Sequence, residues 1–214
     1  MATDDELAGL REEYAATGLD EQDAGDDPVA LFGRWLDEAV ASGMHEPNAM
    51  ALATASADGV PAVRVVLLKG FDARGAVFYT NGDSAKGHDL AANPRASLAM
   101  LWHPLQRQVR VTGRVEPVAP QESDAYFRSR PHGSQLGAVA SPQSQVVADR
   151  DELDRRYAEV EAAYPHDVPR PEQWGGFRVA LDVVEFWHGR QGRMHDRLRF
   201  TASGDSWTRE RLAP

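Results

Sequence analysis

Residues 49–68 read Ala49-Met50-Ala51-Leu52-Ala53-Thr54-Ala55-Ser56-Ala57-Asp58-Gly59-Val60-Pro61-Ala62-Val63-Arg64-Val65-Val66-Leu67-Leu68. Side chains alternate with a period of two on both sides of Asp58-Gly59, a dipeptide suited to tight hairpin turns, so the stretch predicts a β-hairpin of Ala49–Ala55 and Ala62–Leu68. Downstream, Asp72-Ala73-Arg74-Gly75 predicts a second turn into a strand at Ala76–Thr80. Further strands are expected at Ala96–Trp102, Gln108–Val118 (after a break at His103-Pro104), Phe177–Leu181, Val184–His188 and Met194–Phe200, with a last hairpin turn at Gly204-Asp205. Upstream, Asp27 as N-cap, Pro28 in the first turn, apolar Val29, Phe32, Trp35, Leu36, Ala39 and Val40, and Gly43 at the stop predict a helix over 27–43. Shorter helices are expected at Ser84–Ala92 and Pro120–Ser129, a longer one at Asp149–Tyr164, and a looser glycine-containing stretch at 132–146. The sum is an α+β domain over 28–214 with a predominantly antiparallel, closed sheet and helices packed outside it.

The chain has 214 residues and a formal charge of −10. It has no cysteine, which excludes disulfides, a thiolate nucleophile and Cys-ligated metal sites. Apolar runs such as Val65-Val66-Leu67-Leu68 fall far short of the ~20 residues that span a bilayer, and the opening Met1-Ala2-Thr3-Asp4-Asp5-Glu6 is no secretion signal. A cytoplasmic protein without membrane contact is expected. Residues 1–27 carry ten acids against one base, net −9, leaving the body near neutral at −1. This leader is either a solvated segment or a lid over a site. With no basic stripe interleaved with aromatics, nucleic acid is not an expected partner. Lysine is scarce: Lys69 and Lys86 stand against 21 arginines, and a compact ammonium does not substitute for a planar guanidinium.

Familiar catalytic motifs are missing. There is no G-x-G-x-x-G, Gly82–Gly87 lacks the Walker spacing, neither G-x-S-x-G nor H-E-x-x-H occurs, and the seven histidines form no short metal-binding spacing. No metal site is expected. What remains is anion-binding chemistry. Arg193, His195, Arg197 and Arg199 recur at every second position, so on a strand they would share one face, opposite Met194, Leu198 and Phe200. That face either meets an anion or is simply solvated, and Asp196 interrupts the apolar side. Tyr126 and Arg130 are one helical turn apart with Ser134 following, a set able to converge on a phosphate, or else a packed Tyr and a helix-end Arg. Arg64 and Lys69 are five apart, on opposite strand faces unless the strand bends near Gly70 or the site lies at an edge or interface. Trp102, Trp174 and Trp187 read as core.

Taken together, the segments Arg64–Lys69, Phe78-Tyr79-Thr80-Asn81, Trp102–Val109, Tyr126–Pro131, Gly133–Gly137, Trp174–Arg178, Val184–Trp187, Arg193–Arg197 and Arg211–Pro214 resemble the pyridoxine/pyridoxamine 5′-phosphate oxidase family across nearly the whole chain. The resemblance implies a split β-barrel that binds FMN, and a homodimer with flavin sites at the subunit interface. It implies oxidation of pyridoxamine 5′-phosphate and pyridoxine 5′-phosphate to pyridoxal 5′-phosphate, with O2 reduced to H2O2. Cofactor contacts would come from Arg64, Val65, Lys69, Tyr79, Thr80, Lys86, Gln108, Gln143, Ser144, Trp187 and Arg197. The substrate phosphate would meet Lys69, Tyr126, Arg130 and Ser134. Arg193 and His195 would act as the catalytic clamp over the substrate ring, and Arg11 and Tyr14 would belong to the lid. One position departs: the family's usual Ser-Arg-Lys is Ser84-Ala85-Lys86 here. Rival readings are a related flavin oxidase of phenazine type and a non-catalytic carrier of FMN or pyridoxal phosphate.

Overall fold

The structure is a computed structural model, and it describes residues 9–10, 14 and 18–214. The chain forms two compact units, one from residues 1–47, 99–111 and 182–214, the other from 48–98 and 112–181. Strands β5 (Arg95–Trp102) and β6 (Arg107–Pro117) run from one into the other.

In the second unit the first hairpin forms as the Asp-Gly turn requires. Strand β1 (Ala49–Ala55) pairs antiparallel with β2 (Pro61–Leu67), from Ala49 opposite Leu67 to Ala55 opposite Pro61. Met50, Leu52 and Thr54 are buried on one face of β1, whereas Val63 and Val65 of β2 are 70% and 69% exposed. The second hairpin is β3 (Gly70–Asp72) and β4 (Gly75–Asn81), and β4 pairs on its other edge with β7 (Trp174–Val179). Helix α3 (Ala85–Ala92) is capped by the Ser84 hydroxyl, which accepts from the Gly87 N–H. Helices α4 (Pro120–Ser129), α5 (His132–Ala140) and α6 (Arg150–Ala163) follow, and Phe127, Leu136, Val168 and Trp174 are the buried centre of their packing. Helix α5 replaces the first part of the loose stretch expected over 132–146, whose remainder, 141–146, has no helix or strand. Its two glycines cost about 1 kcal/mol each in a helix, but burying Leu136 returns about 1.5–3 kcal/mol, and Ala140 is buried one turn further on. Arg178, also buried, pairs with Glu122 at 3.0 Å and Asp72 at 3.5 Å, tying β7 to α4 and to the second hairpin.

In the first unit, α1 (Glu21–Ala24) and α2 (Pro28–Ala41) precede the meander β8 (Val183–His188), β9 (Asp196–Ser203) and β10 (Ser206–Arg211), all antiparallel. Asp27 caps α2 by accepting from Val29 N, and Pro28 starts the helix, as expected. Trp35 meets Phe186 edge-on at 5.3 Å, and Phe186 meets Phe200 at 5.7 Å, so α2 lies on the apolar face of β8 and β9. Strand β9 starts later than expected. Residues Gln191–Arg193 form a 3-10 turn, Gly192 and Arg193 adopt φ +62 and +60, and Met194 is exposed rather than buried. The expected four-cation strand face is therefore two residues, Arg197 and Arg199, and both are paired, with Glu185 at 2.9 Å and Glu210 at 2.7 Å.

Candidate active site

A cleft of about 910 Å³ opens in the second unit. Strand β2 supplies Arg64 and Val65, the end of β4 supplies Tyr79 and Thr80, α3 supplies Ala85 and Lys86, and α4 and α5 supply Tyr126, Arg130 and Ser134. The loop after α5 adds Gln143 and Ser144, and Trp174 closes the lining. Lys69 joins them because the chain leaves β2 early: Leu68 N bonds Asn48 O, and Lys69 N already bonds Val77 O on β4. That bend just before Gly70 puts Arg64 and Lys69 in one cleft despite their odd spacing. Both lysines of the chain therefore line the same cavity.

Four bases and no carboxylate line the cleft. Lys86 is buried. Its ammonium donates to Ser84 Oγ at 3.0 Å, Thr80 Oγ1 at 3.1 Å and Gln143 Oε1 at 3.4 Å, all neutral oxygens. Burial, and then the charge of Arg64, pull its pKa below the ordinary lysine value. Arg64 is fixed by Thr54 Oγ1 at 2.7 Å and Leu52 O at 3.2 Å, with Asp89 3.8 Å away. Helix α3 comes close enough to hold Lys86 there because residue 87 is glycine: a Cβ would lie 1.9 Å from Gly82 O.

Around Tyr126 a second group of cations faces the cleft. Tyr126 stacks on Tyr79 at 4.0 Å, and Trp174 continues the stack 5.6 Å from Tyr79. Arg130 lies over Trp174 at 4.6 Å, Lys69 Nζ is 5.9 Å from the Tyr126 ring centre, and the buried Nη1 of Arg130 has no hydrogen-bond partner. Burial pulls the Arg130 pKa down, as expected for a guanidinium lacking a counter-charge. A buried unsatisfied donor costs about 1–3 kcal/mol, so an anion that took this N–H would bind with that gain. Trp174, core by its sequence pattern, is core and cleft wall at once, and its stacking on Arg130 is a contact that sequence spacing does not disclose.

The remaining candidates lie in the first unit. Trp187 and His195 are 4.7 Å apart, and Tyr14 packs edge-on against both, at 5.7 and 5.5 Å. The Arg190 N–H donates to His195 Nδ1 at 3.1 Å, so the neutral ring carries its proton on Nε2. Arg193 holds a left-handed backbone that costs a non-glycine residue about 1–3 kcal/mol, an expense typical of functional positions. Arg197 donates to Glu185 and to Ala213 O, and Gln108 is half-buried on β6. Arg11 lies outside the described residues. Among the described residues no group of three His, Asp or Glu could hold a metal ion, and no helix is long and apolar enough to cross a membrane.

Known proteins share this chain's sequence and fold. The family described as pyridoxamine 5′-phosphate oxidase matches residues 36–164, and the pyridoxine 5′-phosphate oxidase C-terminal dimerisation region matches 174–214. A pyridoxine/pyridoxamine 5′-phosphate oxidase of Nocardioides sp. is 55% identical over 98% of both chains. The structure of PhzG from Burkholderia lata in complex with tetrahydrophenazine-1-carboxylic acid superposes with a TM-score of 0.86 at 33% identity, over 90% of this chain and 95% of that one. A Nostoc punctiforme FMN-binding protein related to pyridoxamine 5′-phosphate oxidase shares the fold at a TM-score of 0.70 and 16% identity, over 85% of this chain and 96% of its own. The α+β split-barrel expectation agrees with these likenesses.

Proposed function

Because the chain belongs to the pyridoxine/pyridoxamine 5′-phosphate oxidase family, we propose that it oxidises pyridoxamine 5′-phosphate and pyridoxine 5′-phosphate to pyridoxal 5′-phosphate, using FMN and O2. The alcohol and O2 give the aldehyde and H2O2; the amine also takes up water and releases ammonia. The observation that carries the reading is the acid-free cleft, with two sets of cations placed for two anionic groups.

FMN fits the residues present. Arg64 and Lys86 are donors in a lining that holds no carboxylate, and Thr80, Gln143 and Ser144 add polar groups beside Val65, Val66 and Leu67. When bound, FMN supplies the two-electron chemistry between the substrate C4′ carbon and O2. The protein's part is binding and orientation. Arg130, Lys69, Tyr126 and Ser134 take the substrate phosphate, a bidentate guanidinium beside neutral hydroxyls. Arg193 and His195 hold the pyridine ring in a stacked, reactive geometry, and Tyr14 covers it.

The chain acts as a homodimer in this reading, the cleft of one protomer being completed by Gln108, Trp187, Arg193, His195 and Arg197 of the other. Two features support this: the C-terminal match is to a dimerisation region, and the exposed Val63 and Val65 flank Arg64 on a strand that otherwise shows apolar surface to water. The likeness to PhzG favours a second reading, oxidation of a tricyclic acid, but a substrate without phosphate leaves Lys69, Tyr126, Arg130 and Ser134 with nothing to bind.

A direct test compares H2O2 and aldehyde formation from pyridoxamine 5′-phosphate, from pyridoxamine and from tetrahydrophenazine-1-carboxylic acid. The proposal expects turnover of the first and a KM at least about a hundredfold worse for the second, the worth of two charge-assisted contacts. Preference for the tricyclic acid would overturn it. Arg193→Ala should lower kcat/KM and leave FMN bound.

A further inference from the structure

Asp196 is a buried carboxylate at the start of a strand whose inward face is otherwise Leu198 and Phe200, and nothing in the reaction described above uses it. Its Oδ2 accepts the Leu19 N–H at 2.9 Å and lies 3.3 Å from Arg190 Nη1, while Oδ1 takes Arg211 Nη1 at 2.5 Å. Arg211 also donates to Leu19 O at 3.0 Å. The fit leaves no room for a side chain. At φ +98, a Cβ on Gly18 would sit 2.6 Å from Asp196 Oδ2 and 3.0 Å from the Arg190 guanidinium.

Two segments that meet at His195 are thus held by one carboxylate. Upstream of the clamped Gly18-Leu19 pair, Tyr14 packs on His195 and Trp187. On the other side, Arg190 turns its backbone N–H onto His195 Nδ1, and its guanidinium is the one that Asp196 holds. A charge-assisted network around a buried carboxylate, here with half-exposed guanidinium partners, fixes the geometry of the groups it joins.

We propose that Asp196 is a positioning residue for the oxidase reaction: by holding Arg190 and the Gly18-Leu19 segment together, it keeps His195 oriented with the proton on Nε2 and Tyr14 packed against it. The inference rests on the reading that His195 meets the substrate.

A double-mutant cycle on the FMN-loaded enzyme tests it, with Asp196→Asn and His195→Asn singly and combined. The readouts are kcat/KM for pyridoxamine 5′-phosphate, pyridoxal 5′-phosphate affinity by fluorescence titration, and FMN affinity. Asp196→Asn should lower kcat/KM and product affinity about tenfold in the wild-type background. In the His195→Asn background the further loss should be roughly twofold at most, and FMN affinity should stay within that margin throughout. Gly18→Ala, which disturbs the clamp without removing a charge, should repeat the pattern, and it carries the test if Asp196→Asn does not fold. Equal losses in both backgrounds, or none in either, overturn the positioning role. If His195→Asn itself keeps full activity, the assignment of His195 has failed and the positioning role falls with it, an outcome distinct from the previous two.

Discussion

Lys86→Met separates what the cleft needs for binding from what the fold needs for stability. The ammonium is buried, donates only to neutral oxygens and is repelled by Arg64. None of its acceptors depends on it: Thr80 Oγ1 donates to Gln143 Oε1 at 3.0 Å, and Ser84 Oγ donates to Asn81 O at 2.6 Å. A methionine of similar length fills the space and orphans nothing. Exchanging a buried ion for an apolar group of like volume is commonly neutral or stabilising by about 1–4 kcal/mol. At about 2–4 °C per kcal/mol for a chain of this size, the FMN-free protein should melt no lower than the wild type and up to several degrees higher. Because the folded pKa of Lys86 is lowered, the unfolded chain binds its proton more readily. The charged lysine therefore costs stability below the folded pKa, and that cost fades as pH climbs towards the ordinary value of 10.5. The advantage of Lys86→Met should accordingly shrink at high pH. FMN affinity should fall by about 1.5–3 kcal/mol, ten- to a hundredfold, the worth of a charge-assisted contact to phosphate. Thermal melts with and without FMN, and a flavin fluorescence titration, read both effects. A variant that melts well below wild type yet binds FMN normally would refute the reasoning, because Lys86 would then be a structural cation.

Other substitutions probe the same account. Ala85→Arg should restore the guanidinium usual in the family and tighten FMN binding by about one to two decades; an unchanged titration would mean that the lining compensates already. Arg130→Lys cannot stack on Trp174 or present a planar fork, so KM for pyridoxamine 5′-phosphate should rise about tenfold while weak turnover of pyridoxamine stays the same. Glu21, whose carboxyl the Arg211 guanidinium pulls down to about 2, contributes stability above the usual carboxylate range and loses it as pH falls towards 2. Glu21→Gln should therefore lower the melting temperature at neutral pH and have no effect near pH 2, which a pH series of melts would check.

What the sequence disclosed was local. The Asp58-Gly59 turn, the Asp27-Pro28 helix start and the short helix from about Ser84 to Ala92 depend on neighbouring residues alone, and each forms where expected. Helix α5 was not legible because its glycines speak against a helix while the burial of Leu136 is a tertiary gain. The turn at Gly192-Arg193 was missed because alternation suggested a strand, and alternation of side chains does not record a left-handed backbone at two successive residues. Arg64 and Lys69 became one site only through the crossing from β2 to β3. Asp196 looked like a flaw in an apolar face, since its partner Leu19 is 177 residues away in sequence. The polar end of the proposed flavin site was readable mainly through family resemblance, as was the significance of Ala85.

The central claim is that this cleft lets a phosphorylated B6 vitamer reduce bound FMN. Its most direct test is to load the purified protein with FMN, add pyridoxamine 5′-phosphate without oxygen and follow the flavin absorbance. Bleaching that reverses when air is admitted, with pyridoxal 5′-phosphate formed, is the expected result; flavin that binds but stays oxidised would contradict this role.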